Sequence, residues 1–236
     1  MVRGTSINRV NDSLLRVDSV YFNERMINMS YPISEQLISY NRSYQALSPQ
    51  GFVIHSTATP SATAQNEHDY LNGGDRQASS HYFVDGSNII RCIPESEQAW
   101  HAGQTANSKF LSVEMCEIEP FSEVWARTVW LVADACVRYG WSTGPSIWSH
   151  RGISDLYKET NHTDPIVYLQ RNGKTWSQLL QAIDAEIINL KKPKVVIQTI
   201  PDHDIYLSVR CYQSKADQAI VDINKLGFAA KRMELA

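Results

Sequence analysis

From Gln50 onward the chain alternates short apolar runs with polar breaks, and the spacing of those runs predicts the elements. Gly51-Phe-Val-Ile-His-Ser-Thr57 is an apolar run ending in polar residues, the pattern of a buried strand that delivers His55 to a sheet edge. Ser61 and Thr63 are capping residues ahead of a helix through about Leu71, which Asn72-Gly-Gly74 stops. His81-Tyr-Phe-Val-Asp85 and Asn88-Ile-Ile-Arg-Cys-Ile93 read as two strands across a Gly86-Ser87 turn. Phe110 to Glu117 is a further strand. Its alternation sends Leu111, Val113 and Met115 to one face and Ser112, Glu114 and Cys116 to the other.

The period then changes. Phe121 to Tyr139 carries Phe121, Trp125, Val129, Val132 and Cys136 on one helical stripe, with Gly140 as the stop. Trp176 to Leu190 is a second such helix, with Leu179, Leu180, Ile183 and Ile187 inward. Strands interleaved with amphipathic helices predict an α/β fold, a central mixed β-sheet flanked by helices.

The two ends read differently. Residues 1–33 lack clean periodicity and are rich in Asn, Ser and Arg, so they form an N-terminal extension, and Met29-Ser-Tyr-Pro is a second plausible start. The main domain is expected over 34–190 and a linker over 191–203, opened by Lys191-Lys-Pro-Lys194. Beyond it lies a strand (Ile205 to Cys211), a helix (Ser214 to Leu226) and a strand from Phe228, a small C-terminal β-α-β unit over 204–236. That unit is too small to bury much core alone, so it is expected to pack on the main domain or on a copy of itself.

Composition narrows the function. A formal charge of -3 gives no basic stripe for nucleic acid. The most apolar stretch, Val129 to Val137, is short and broken by Asp134, so no membrane span is expected. No uninterrupted apolar segment follows Arg3, Arg9 and Arg16, so no signal peptide is expected and the protein should be made and held in a cytoplasm. Cys92, Cys116, Cys136 and Cys211 are scattered without a CxxC pair, which favours buried thiols over a zinc knuckle or a disulfide framework.

The chemistry rests on histidines at element ends. His55 ends a strand, His150 follows another in Ile147-Trp-Ser-His-Arg-Gly152, and His162 and Asp164 share the turn-rich Asn161-His-Thr-Asp-Pro165. A catalytic zinc needs three protein ligands and one open position, and two histidines plus an aspartate satisfy that. No HExxH or short paired motif is present, and scattered histidines are commonly structural, so the residues alone leave both readings open.

Six short motifs in order alter the balance: Phe52-Val-Ile-His-Ser-Thr57, Ser79-Ser-His-Tyr-Phe-Val84, Ala99-Trp-His-Ala-Gly103, Ser112-Val-Glu-Met-Cys-Glu117, Ser149-His-Arg151 and His162-Thr-Asp-Pro165. Together they resemble the type 2 N-acetylmuramoyl-L-alanine amidases, which include phage endolysins and autolysins and are related to peptidoglycan recognition proteins. The resemblance spans roughly residues 35 to 175. It implies a zinc ion (Zn2+) held by His55, His150 and Asp164, where many relatives carry Cys in place of Asp164. It also implies Glu114 as the general base that takes a proton from the attacking water, and bacterial peptidoglycan as substrate.

His162 stands where many relatives carry a lysine that steadies the oxyanion. An imidazole there supplies a hydrogen bond or, protonated, a charge. Trp100 and His101 are expected on the cleft wall, and His81, counted with them as a substrate-side candidate, is either a supporting partner beside the site or a satisfied core histidine. Glu117 alternates away from Glu114 and is left out. The step from His150 to Asp164 is a few residues longer than in the muropeptide-recycling members, which argues against that subfamily. The expected absence of a signal peptide fits a phage or prophage endolysin released through a holin, and a cytoplasmic recycling enzyme is the disfavoured alternative. A non-catalytic recognition module and a zinc peptidase of the stem peptide are the alternatives. Leu207-Ser-Val-Arg-Cys211 and Leu226-Gly-Phe228 are similar to part of a SPOR-type wall-binding module, and both wall targeting and a homo-oligomer through this unit are open.

Overall fold

The structure is a computed structural model that describes residues 30–192, together with the backbone of four strands at 13–17, 194–198, 206–210 and 230–232. Most of the expected N-terminal extension and the helix expected over 214–226 lie outside the described residues. The chain divides into two compact units, Met29–Leu190 and a second made from both ends, Met1–Asn28 with Lys191–Ala236.

The second unit explains why the N-terminal segment resisted reading as an element of its own. Strand β1 (Ser13–Val17) lies between two strands from the far end of the chain. The main unit runs β2 (Ile33–Glu35), β3 (Phe52–Ser56), α1 (Ala64–Asn72), β4 (Tyr82–Val84), β5 (Ile89–Arg91), α2 (Gln104–Asn107) and β6 (Leu111–Met115). It continues with α3 (Phe121–Tyr139), α4 (Thr143–Ser146), β7 (Ile147–Ser149), α5 (His150–Tyr157), α6 (Ile166–Arg171) and α7 (Trp176–Leu190). Strands β8 (Lys194–Gln198), β9 (Tyr206–Arg210) and β10 (Ala230–Arg232) then join β1 in an antiparallel sheet of order β10-β1-β9-β8.

The main unit is built on a six-stranded sheet of order β2-β5-β4-β6-β3-β7, parallel except for the β4–β5 pair. The central strands are buried on both faces, as parallel strands covered by helices must be. On one face Phe52, Ile54, Leu111, Val113 and Met115 pack against α3 and α7 through Val124, Leu131, Ala135, Leu179 and Ile183. Burying such side chains contributes roughly 2 kcal/mol each. The opposite face carries Val53 with α2 and α5, and Phe83 and Ile90 with α1. The alternation expected for β6 therefore holds: its apolar set faces α3, and Ser112 and Glu114 face the other way.

Caps fall where the sequence placed them. Thr63 caps α1 in a reciprocal pair with Asn66, and Gly140 ends α3 at a positive φ of 73°. Cys92, Cys116 and Cys136 are buried, and Cys211 lies outside the described residues. Among the described residues no helix is long and apolar enough to cross a membrane. Gly51, entering β3, has no room for a side chain: a Cβ would stand 1.9 Å from the Ser146 carbonyl oxygen at the entrance to β7. That close approach sets β3 beside β7, and with it the spacing of the two histidines that leave their C-terminal ends.

Candidate metal centre

Three elements deliver the site. His55 leaves the C-terminal end of β3 on the face opposite α3 and is buried. His150 opens α5 directly after β7, where the Ser149 hydroxyl caps the helix by accepting the Gly152 N–H at 3.0 Å. Asp164 lies in the loop before α6, ahead of a cis bond to Pro165. The Arg151 N–H donates to the Asp164 carbonyl at 3.1 Å, and the Ser56 N–H reaches Asp164 Oδ2 at 3.4 Å, so the loop is tied to both histidine-bearing elements.

The three side chains converge. Asp164 Oδ2 is 3.2 Å from His55 Nδ1, and Asp164 Oδ1 is 3.2 Å from His150 Nδ1. One ligand atom from each lies within 4.8 Å of the others. Each imidazole is held from behind: His55 Nε2 meets His101 Nδ1 at 3.1 Å, and His150 Nε2 meets the Thr160 hydroxyl at 3.2 Å. Thr160 bonds in turn to Ser154 Oγ at 2.6 Å.

Glu114 faces this group, with Oε1 3.9 Å from His55 Nδ1 and a buried Oε2 that has no hydrogen-bond partner. Burial, reinforced by the charges of Asp164, Glu67 and Glu117, pushes its carboxyl well above the ordinary range. Burial acts to raise Asp164 too, but the hydrogen bonds of His150 and His55 overcome it and hold that carboxyl low. Burial lowers His55, against the opposing pull of Asp164. The pocket thus gathers carboxylates around two imidazole nitrogens and leaves one buried oxygen unsatisfied. Two nitrogens and a carboxylate oxygen are a donor set that suits zinc, and the orphaned oxygen of Glu114 suits a water beside it.

Of the other expected residues, His162 and His101 lie against the ligand histidines and Trp100 and His81 lie further off. His162 stands at the rim with its side chain 62% exposed, its ring stacked on His150 at 4.5 Å and its Nδ1 3.7 Å from Asp164 Oδ1. Trp100 is half-buried on a loop stapled to Ser79, which accepts the Trp100 N–H at 3.0 Å and donates its own N–H to the Trp100 carbonyl at 2.9 Å. His101 is partly exposed and stands behind His55, its Nδ1 3.1 Å from His55 Nε2. His81 is a satisfied core histidine and not a substrate contact: it is 0% exposed, so no substrate reaches it. Its Nδ1 accepts the Ser112 N–H at 3.0 Å and its Nε2 donates to the Glu97 carbonyl at 2.9 Å, so backbone groups use both ring nitrogens.

Two residues escaped sequence reasoning. Thr160 carried no signal beyond its place in a polar loop. Glu117 was set aside by alternation, but β6 ends at Met115, and past that point alternation no longer governs direction. Glu117 turns back to accept the Ser56 hydroxyl at 3.0 Å and pairs with Arg171.

Residues 45–166 match a protein family described as N-acetylmuramoyl-L-alanine amidase. Among curated relatives, the chain is 46% identical over 114 residues to N-acetylmuramoyl-L-alanine amidase CwlL of Bacillus licheniformis, covering 40% of this chain and 31% of that protein. It is 31% identical over 147 residues to Protein Ami of Listeria monocytogenes, covering 58% of this chain and 16% of that protein. The chain thus spans under a third of either relative. Among solved structures, the hydrolase AmiA of Staphylococcus aureus, in complex with its ligand, superposes with a TM-score of 0.62 at 26% identity, covering 68% of this chain and 86% of that one.

Proposed function

The chain belongs to the type 2 N-acetylmuramoyl-L-alanine amidase family, and on that premise we propose that it is a zinc amidase of bacterial peptidoglycan. The bond cut is the amide between the lactyl group of N-acetylmuramic acid and the L-alanine of the stem peptide. The observation that carries this reading is the convergence of His55, His150 and Asp164, with Glu114 beside them.

His55, His150 and Asp164 would hold the zinc, which would supply Lewis acidity toward the amide carbonyl and the attacking water. Glu114 accepts the proton of the attacking water at its unsatisfied oxygen and returns it to the departing alanine nitrogen. His162, exposed at the rim and stacked on His150, is placed to meet the carbonyl oxygen as it gains charge. Trp100 presents an aromatic surface on the neighbouring loop, suited to a sugar or peptide. The products are a glycan with a free lactyl carboxylate and a peptide that begins with L-alanine.

Mass spectrometry of purified peptidoglycan, digested with and without a zinc chelator, tests the reading. Peptides beginning with L-alanine beside intact glycan, lost on chelation, are the expected result. Uncut wall that still binds the protein would make the site a recognition module, and cleavage within the stem peptide would make it a peptidase.

The narrower form of the proposal is an endolysin that reaches the wall from the cytoplasm through a holin pore. Its check is lysis of living cells when the chain is co-expressed with a holin and not when it is expressed alone. The smaller unit is proposed as an accessory for wall attachment or self-association. Wall sedimentation and solution mass of the full chain choose between the two.

A further inference from the structure

His101 entered the sequence reading as a cleft-wall residue, and the geometry gives it a different task. Its ring is sandwiched between two partners of different character. Nε2 lies 3.3 Å from the Phe110 carbonyl oxygen, and Nδ1 lies 3.1 Å from His55 Nε2. A carbonyl oxygen only accepts, so the proton at that end sits on His101 Nε2. A neutral imidazole carries a single ring proton, so His101 Nδ1 is left as an acceptor and His55 Nε2 must be the donor that meets it. That donation would put the His55 proton on Nε2 and the lone pair on Nδ1, in place of the hydrogen bond that Nδ1 otherwise gives Asp164 at 3.2 Å.

We propose that His101 is the positioning residue that fixes the tautomer and ring orientation of His55, so that Nδ1 is presented as a ready ligand. The relay runs from the Phe110 carbonyl through His101 to His55. It rests on the metal reading of the site given above.

The surroundings are built to hold it. The His101 and Ala102 N–H groups both donate to Asn107 Oδ1, at 2.9 Å each, which ties the loop bearing His101 onto α2. Phe110 is buried and immediately precedes β6, the strand that carries Glu114, so one strand anchors both the relay and the proposed base. The planes of the His55 and His101 rings stand at 88° with centroids 5.2 Å apart. His150 has a shorter version of the same device, with Thr160 behind its Nε2.

The test uses the full-length protein and reads zinc binding as well as activity. Ring-nitrogen NMR of the metal-free wild type shows which nitrogen of His55 carries the proton. Proton on Nε2 is the expected result, and proton on Nδ1 overturns the proposal without any variant being made. Zinc affinity is then measured by competition with a chromophoric chelator. His101→Phe fills similar space but cannot accept, and it should weaken zinc binding about 10- to 100-fold. His101→Gln can both donate to Phe110 and accept from His55, so it should recover most of the loss. An unchanged zinc affinity in His101→Phe, with only KM raised, would return His101 to the role of substrate contact. A wild type that takes up no zinc sinks the metal reading of the site, while the NMR result still decides the relay.

Discussion

Glu114 stands directly across from His55 in the parallel register of β3 and β6, and its Oε1 lies 3.9 Å from His55 Nδ1. Neighbours at one register point to the same face, so the sheet itself sets the distance between the proposed ligand and the proposed base. No flexible loop intervenes. Glu114→Gln keeps the shape and removes the proton acceptor. It should lower kcat about 10²- to 10⁴-fold, while bound zinc stays at wild-type level. Paired measurement of kcat and metal content checks this, and loss of zinc along with activity would make Glu114 a ligand instead.

Asp164 answers both histidines at once, with one carboxylate oxygen 3.2 Å from each. Its removal should therefore do more than subtract a single donor. Asp164→Ala should abolish retention of zinc through gel filtration, while secondary structure is unchanged. Asp164→Cys supplies a different zinc-binding atom from the same loop and should retain the metal. Metal content of the two purified variants decides, and retention by the alanine variant would remove Asp164 from the ligand set.

The sequence made much of this legible where local rules are strong. The stripe through Phe121, Val129, Val132 and Cys136 and the stop at Gly140 delimit α3 as observed, because a long amphipathic helix with a glycine end leaves few alternatives. Glu114 was assigned to the face opposite Leu111 and Val113 because alternation inside a regular strand is rigid. His101 and His81 were legible as residues near the site but not in their tasks. Which partner each imidazole finds depends on the carbonyls of Phe110 and Glu97, and no side-chain pattern encodes those. Thr160 was lost for the same reason.

His81 gives a pH dependence to stability that is separate from the metal. Burial lowers its pKa from 6.5 to about 4. Between those values the unfolded chain binds the proton and the folded protein does not, so stability falls as pH drops from 6.5 towards 4. The full effect is about 3 kcal/mol. Urea unfolding of the wild type and His81→Asn over that window should show the wild-type advantage shrinking with falling pH. A constant difference across the range would mean that His81 stays neutral in both states or charged in both.

Gly51 offers a structural test at a distance from the metal. A Cβ there would lie 1.9 Å from the Ser146 backbone oxygen, and backbone cannot swing aside as a side-chain tip can. Gly51→Ala should cost about 3 kcal/mol or more. It should also weaken zinc binding, because the strands it forces apart end at His55 and lead into His150. A variant with lowered thermal midpoint but unchanged zinc affinity would show that the two histidines are held by the Asp164 loop and not by strand spacing.

The N-terminal strand makes a last prediction. In the four-stranded sheet β1 is interior, paired on one side with β10 through Leu15↔Arg232 and on the other with β9 through Leu14↔Ser208. Removing it leaves two strand edges facing a gap in place of one continuous sheet, and exposed edges are open to proteases and to other chains. Deletion of residues 1–28 should therefore expose the segment after Lys191 to rapid limited proteolysis, although the cut lies far away in sequence. The unit from Met29 to Leu190 has its own sheet and core and should survive the same digestion as a stable fragment that retains zinc. If the segment after Lys191 remains protected in the truncated chain, its strands hold together without β1 and the pairing contributes little to that unit's stability.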